Sequence, residues 1–194
     1  MTTDTGDPIS VREAAKQVGA ALNDRGLNLV INNAGINVGS TLEASSPQHM
    51  IDTYKINVVG PMLVSKEFLL YLRRAAQTCS QEGLSCSRAA VINISTLMDS
   101  IRKCPENFAR MSMYPYRCSK AALNMLTCCL AEDIRAEGIL CVAIHPGWVK
   151  TDMGGGDAPL EPVDSVRGLL HVISSLRDES CGQFLDWEGN RIPW

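Results

Sequence analysis

Leu27-Asn-Leu-Val-Ile-Asn-Asn-Ala-Gly35 is the stretch on which the fold turns. Leu27 to Ile31 is strand-sized and apolar, and it runs straight into the polar, glycine-ended Asn32-Asn33-Ala34-Gly35. The same plan recurs further along. Ala89-Ala-Val-Ile-Asn-Ile94 leads into Ser95-Thr96, Ile139-Leu-Cys-Val-Ala-Ile144 leads into His145-Pro146-Gly147, and a shorter Gly182-Gln-Phe-Leu-Asp-Trp187 lies near the end. Helical patterns separate these strands. Ser10-Val-Arg-Glu13 has the form of a capping box and opens a helix with Val11, Ala14, Ala15, Val18, Ala21 and Leu22 on its apolar side, stopping at Gly26. Pro47 starts a second helix with Met50, Ile51, Tyr54, Asn57, Val58 and Leu63 at near-helical spacing, and Tyr116 opens a third. Val163 to Leu176 reads as a fourth, with Val166, Leu169, Leu170, Val172 and Ile173 as its apolar side. Strands without a polar face, alternating with helices, predict an α/β domain whose parallel sheet is covered on both sides. Ala75 to Arg88 and Leu97 to Met113 read as surface loops.

The totals narrow the function classes. A chain of 194 residues suits one domain spanning 1–194. A net charge of -3 gives no reason to expect a nucleic-acid partner or an anionic membrane. No uncharged run reaches the roughly 18 residues that a bilayer span needs, and the polar start lacks the form of a secretory leader. Eight cysteines suggest a disulfide set, yet most lie within helical or strand-like runs, where a reduced thiol serves as a small apolar group. Cys79 and Cys86 flank a polar loop and could pair. No Cys-x-x-Cys spacing occurs and there are only three histidines, so no metal site is expected and the chain reads as cytoplasmic with free thiols.

In a parallel sheet, the residues after each strand gather at the carboxyl rim, where ligands bind. Asn32-Asn33-Ala34-Gly35, Ser95-Thr96 and Pro146-Gly147 therefore share one rim, and Tyr116-Arg-Cys-Ser-Lys120 starts the helix that faces it. Tyr116 and Lys120 lie about one helical turn apart on one face. A phenol is a poor base at neutral pH, with a free pKa of about 10, and a neighbouring ammonium favours its ionised form. Such a pair can pass a proton to or from a substrate oxygen.

Together these motifs resemble the short-chain dehydrogenase/reductase family of NAD(P)-dependent oxidoreductases. The marks are Asn33-Ala34-Gly35, Asn57, the hydroxyl after Asn93-Ile94, Tyr116-x-x-x-Lys120, and Pro146-Gly147 followed by Thr151. The string His145-Pro-Gly-Trp-Val-Lys-Thr-Asp-Met153 and the tail Ile192-Pro-Trp194 are similar to the C-factor and sniffer-like carbonyl reductase branch. The resemblance implies a Rossmann-like, doubly wound sheet and reduction of a small carbonyl compound (or oxidation of the alcohol). The cofactor implied is NADP, with NAD left open. It implies that Tyr116 is the general acid/base, that Lys120 holds the nicotinamide ribose and lowers the phenol's pKa, and that Asn57 holds a proton-relaying water. Lowering a phenol from about 10 to about 7 takes about 4 kcal/mol, which lysine and cofactor would supply together. Asn33, Ala34, Gly35, Pro146, Gly147, Val149 and Thr151 would line the cofactor, together with Tyr116 and Lys120. Gly154-Gly155-Gly156 reads as a hinge for a covering loop.

Two departures stand out. The family's Asn-x-Ser-Ser is here Asn93-Ile-Ser95-Thr96, which puts Thr96 in the substrate-orienting position with Ser95 as the fallback. The family's Thr-Gly-x-x-x-Gly-x-Gly turn, which brings pyrophosphate to a helix N-terminus, has no counterpart here. Asp4-Thr-Gly-Asp7 is similar instead to the Asp-x-x-Asp after the family's third strand, so that Asp4 would lie near adenine. On that alignment the sheet is truncated to strands 4-5-6-7 of the family order 3-2-1-4-5-6-7, and the Leu27–Ile31 strand becomes an apolar edge. The alternative function is a non-catalytic chain that pairs with a full-length subunit, through the helices after Pro47 and Tyr116.

Overall fold

A computed structural model describes residues 2–194. Helix α1 (Pro8–Leu22) precedes strand β1 (Leu29–Asn32). Helix α2 (Pro47–Tyr54) then passes through a π-helical turn, Lys55–Val59, into the long α3 (Gly60–Thr78). Strand β2 (Ala90–Ile94), a 3-10 turn at Leu97–Asp99, the short α4 (Cys104–Asn107) and α5 (Tyr114–Ile134) follow. The chain closes with β3 (Leu140–His145), α6 (Pro162–Ser175) and β4 (Phe184–Asp186).

The four strands form one sheet in the order β1-β2-β3-β4, every neighbour parallel. Successive residues of a strand point to opposite faces, so a strand buried at every position is covered on both. That holds for Ala90–Asn93 of β2 and Leu140–Ile144 of β3, which carry the core with Leu72, Ile134, Val172 and Leu176. β1 differs. Val30 and Asn32 are buried but Ile31 is 43% exposed, and the strand's outer edge has no partner among the described residues. A cavity of about 190 Å³ runs along this edge, lined in part by Val11, Ala14, Ile31, Asn33, Pro61 and Phe68. The edge strand read from the sequence is thus an edge in the fold.

Several local expectations are corrected. The start of α1 is set by Pro8, whose fixed φ suits a first helical position, with Asp7 as the cap accepting from Ile9 N (3.0 Å). Ser10 therefore sits inside the first turn, and its hydroxyl accepts from Asp4 N (3.0 Å) instead of capping. The helix ends at Asn23 in the left-handed region (φ 48°), before Gly26. Gly26 serves a close approach, since a Cβ there would lie 2.1 Å from Ala75 N. The stripe after Pro47 is not continuous: the π-helical turn rotates Asn57 and Val58 inward, while Met50, Ile51 and Tyr54 are exposed. On α6 only Val172 and Ile173 of the expected side are buried, and Val166 and Leu170 face out.

Neither expected loop is wholly loose. α3 continues to Thr78 with Ala75 and Ala76 buried, and Leu84 and Ser85 pack inward beyond it. Leu97 to Met113 holds the 3-10 turn and α4. All eight cysteines are free, Cys79 and Cys86 included.

Candidate active site

Parallel pairing brings the ends of β1, β2 and β3 to one rim. A buried polar ladder fixes their register there. Asn32 Nδ2 donates to Asn93 Oδ1 (2.8 Å), Asn93 Nδ2 donates to Thr127 Oγ1 (2.8 Å), and Thr127 donates to Leu123 O (2.9 Å). Two strands and α5 are thereby locked together by side chains that would be costly to leave unpaired.

α5 carries Tyr116 and Lys120 to the rim. Lys120 is buried, its Nζ donating to Ile94 O (2.6 Å) and lying 5.9 Å from the Tyr116 ring centroid. Asn57, fully buried on the π-helical turn, accepts from Ile36 N (2.9 Å) and donates to Ile36 O (2.9 Å) and Ser119 Oγ (3.0 Å). That triple contact pins the chain after Gly35 against α5. A Cβ on Gly35 would come within 3.2 Å of Asn57 Oδ1 and 3.6 Å of Lys120 Nζ, so the glycine leaves the lysine's surroundings open. The expected residues Gly35, Asn57, Tyr116 and Lys120 are thus brought to one place, while Asn33 and Ala34 also border the cavity along β1.

The two candidate hydroxyls separate. Thr96 lies beside the Tyr116 phenol, and its Oγ1 accepts from Met98 N (3.4 Å). Ser95 turns away, its hydroxyl donating to Asp99 Oδ2 with Asn124 Oδ1 at 2.7 Å. After β3, Pro146 O accepts from Ser165 (2.6 Å), Gly147 takes φ +86°, Val149 bridges to Leu160, and the Thr151 hydroxyl accepts from Gly154 N (3.1 Å). Gly154 is no free hinge: Trp148 Nε1 donates to its carbonyl (2.8 Å), and a Cβ would meet Val149 O at 2.0 Å. Only Gly155 and Gly156 have open space around them. Asp4 is exposed at the entrance to α1, where its Oδ1 accepts from Gly6 N (2.8 Å), and nothing joins it to Tyr116.

The electrostatics differ from the expectation. The Tyr116 phenol is pushed up to about 12, first by burial and then by the charge of Asp99, with the Thr96 hydroxyl opposing. Lys120 is lowered to about 8 by burial, with Asp99 pulling the other way. The lysine therefore stays an ammonium at neutral pH, and at the phenol burial and the charge of Asp99 outweigh it. His145, half-buried beside Asp186, is lowered to about 4 by desolvation and is neutral.

Asp99 is the residue sequence reasoning missed. It is 4% exposed, and burial raises its carboxyl to about 6 against the hydrogen bonds that favour its ionised form. Thr96-x-x-Asp99 has the form of a capping box, and that signal was available. Arg117 was missed too. It is buried, donates to Met98 O (2.7 Å), Met111 O (2.9 Å) and Asn107 O (3.2 Å), and so ties the segment before α5 to the helix.

Known proteins match this arrangement. The model of the short chain dehydrogenase family matches residues 1–159. The chain belongs to that family. With membership comes the oxidoreductase class. Among its relatives, C-signal of Myxococcus xanthus is 38% identical over 169 residues, covering 87% of this chain and 93% of that one. Among solved structures, an NADPH-bound carbonyl reductase from chicken fatty liver is 46% identical with a TM-score of 0.93, over 99% of this chain and 75% of that one. Carbonyl reductase Sniffer of D. melanogaster is 35% identical with a TM-score of 0.94, over 100% and 77%. Among the described residues of this short-chain dehydrogenase, no cluster of metal-binding side chains occurs, and no helix is long and apolar enough to cross a membrane.

Proposed function

We propose that residues 1–194 form one domain that carries the reducing site of an NADP-dependent carbonyl reductase. The observation that carries this is the convergence of Thr96 and Lys120 around the Tyr116 phenol at the carboxyl rim of a parallel sheet. The residues present fit the nicotinamide side of NADP: Gly35 leaves room beside Lys120 Nζ, and Asn33, Ala34, Pro146, Gly147, Val149 and Thr151 edge the same rim. NADPH is bound by the chicken and NADP by a Burkholderia multivorans relative, which favours NADP over NAD here. When bound, the cofactor supplies the hydride.

Each residue has a separate task. The Thr96 hydroxyl orients the carbonyl oxygen. Tyr116, protonated at neutral pH, donates a proton to that oxygen as it gains charge. Lys120 offers its remaining N–H donors to the cofactor's ribose hydroxyls while Ile94 O holds it in place. Asn57, through Ile36 and Ser119, keeps the β1 rim against α5.

The sequence contains no Thr-Gly-x-x-x-Gly-x-Gly turn, so no glycine-rich helix start receives the pyrophosphate in this 194-residue chain. Without that anchor the chain binds NADPH weakly, because remote contacts normally position the reacting end. Titration with NADPH followed by fluorescence, combined with carbonyl-dependent NADPH oxidation, tests both points. Weak saturable binding with slow turnover that Thr96→Val lowers about 100-fold supports the reading. Turnover untouched by Thr96→Val overturns it.

A second reading is favoured by one observation. Met50, Ile51 and Tyr54 of α2 and Met125 of α5 are exposed on helices that pack together. Pairing with another subunit through this face would bury them, and sedimentation of the chain alone and mixed with a full-length reductase separates that role from an independent one.

A further inference from the structure

Asp99 lies under the proposed proton donor without being part of the motifs that define the site. It ends the 3-10 turn that follows Thr96, and its Oδ2 accepts from Thr96 N (3.2 Å) and from the Ser95 hydroxyl. Asn124 of α5 lies beside the carboxyl, its Oδ1 2.7 Å from the Ser95 hydroxyl. The other oxygen, Oδ1, is buried and has no partner among the described residues. A carboxylate in that state costs folding free energy unless it acts on its neighbours.

Its neighbours are the groups the chemistry needs. From α5 the charged and titratable groups facing it are Tyr116 and Lys120, and Arg117 of the same helix donates to Met98 O on the turn. From the segment after β2 it meets the Ser95 hydroxyl and the Thr96 amide. The C-terminal segment packed on the turn contributes backbone oxygens, Pro193 O to the Ser100 hydroxyl and Trp194 O to Arg102 N. The negative charge of Asp99 raises the pKa of both Tyr116 and Lys120.

We infer that Asp99 is a positioning residue that sets the direction of proton transfer. Its carboxylate fixes the Thr96 backbone beside the Tyr116 phenol, and its charge adds to burial in disfavouring the phenolate while opposing burial in keeping the lysine an ammonium. The site is thereby held ready to reduce a carbonyl, and alcohol oxidation, which needs the phenolate, is held back. This consequence rests on the carbonyl-reductase reading; the coupling among Asp99, Tyr116 and Lys120 does not.

The sign follows from the charges. Asp99 ionises with a midpoint near 6. Below that pH it is neutral and the phenol is easier to deprotonate; above it the carboxylate opposes the phenolate.

The test is a pH titration of the full chain carrying ¹³C at the tyrosine Cζ and lysine Cε positions, with the aspartate carboxyls labelled as well. Tyr116→Phe and Lys120→Met assign the signals. In the wild type, the Tyr116 and Lys120 signals show a step at the midpoint of the Asp99 carboxyl. Asp99→Asn abolishes the step and moves the pH limb of NADP-dependent alcohol oxidation down by about 1 pH unit. Glu at 99 restores part of both effects. If Asp99→Asn does not fold, the wild-type titration decides alone. Tyr116 and Lys120 signals that do not move with the Asp99 carboxyl, or a step that persists in Asp99→Asn, overturn the inference. Coupled titrations in a chain with no NADPH-dependent reduction would overturn the carbonyl-reductase reading and leave the coupling standing.

Discussion

Replacing Arg117 by methionine removes the one side chain that, among the described residues, holds Met98, Asn107 and Met111 together. The guanidinium is 7% exposed and forms three hydrogen bonds to backbone carbonyls, and it sits 5.5 Å from the Phe108 ring centroid. Hydrogen bonds to a charged group are worth about 1.5–3 kcal/mol each in difference measurements. Three of them overstate the loss, because taking away a buried cation also removes its desolvation cost. A net loss of about 3 kcal/mol remains, with three carbonyls left short of a donor. For a domain of this size that corresponds to a fall in Tm of roughly 6–12 °C. Calorimetry measures it, and limited proteolysis locates it: cleavage should concentrate in 97–113, the segment the arginine ties down. Arg117→Lys should recover less than half, since one ammonium cannot match the planar fork. A Tm within about 2 °C of wild type with 97–113 still resistant would refute the reasoning.

Asn93→Ala leaves Asn32 Nδ2 without its buried acceptor and Thr127 Oγ1 without its donor and should cost about 2–5 kcal/mol in urea denaturation; a loss under 1 kcal/mol would mean the ladder does not set the register. Ile31→Lys places a charge on the open edge of β1, so light scattering at high protein concentration should fall while Tm barely changes; unchanged scattering would put self-association elsewhere. Lys120 titrates near 8 when folded and near 10.5 when not, so the unfolded chain binds more protons between those values. Its contribution to stability therefore rises with pH across that window by roughly 3 kcal/mol, and a Lys120→Met chain should lack that rise.

The strands were legible because a buried parallel strand needs an unbroken apolar run, and Ala90–Ile94 and Leu140–His145 answer to nothing else. The rim was legible because Asn33-Ala34-Gly35, Thr96, Tyr116 and Lys120 follow strand ends or open a helix. The register of α2 was not, since a π-helical turn breaks the 3.6-residue period on which periodicity depends. Nor was the cap of α1, where two adjacent signals competed and the proline fixed the outcome. The causes acting on Tyr116 were only partly legible, for a different reason. One neighbour, Lys120, was visible four residues away, whereas burial and the charge of Asp99 come from the folded chain. Arg117 shows the same limit: its partners are backbone carbonyls, which every residue has, so no pattern marks them in advance.

The most direct measurement of the central claim is the initial rate of NADPH oxidation with a panel of small carbonyl compounds, wild type against Tyr116→Phe, using NADPH deuterated at the transferred position. The account predicts deuterium in the alcohol product of the wild type and a loss of at least about 1,000-fold in Tyr116→Phe, whose melting curve stays near that of the wild type. An equal rate in the two proteins would contradict it.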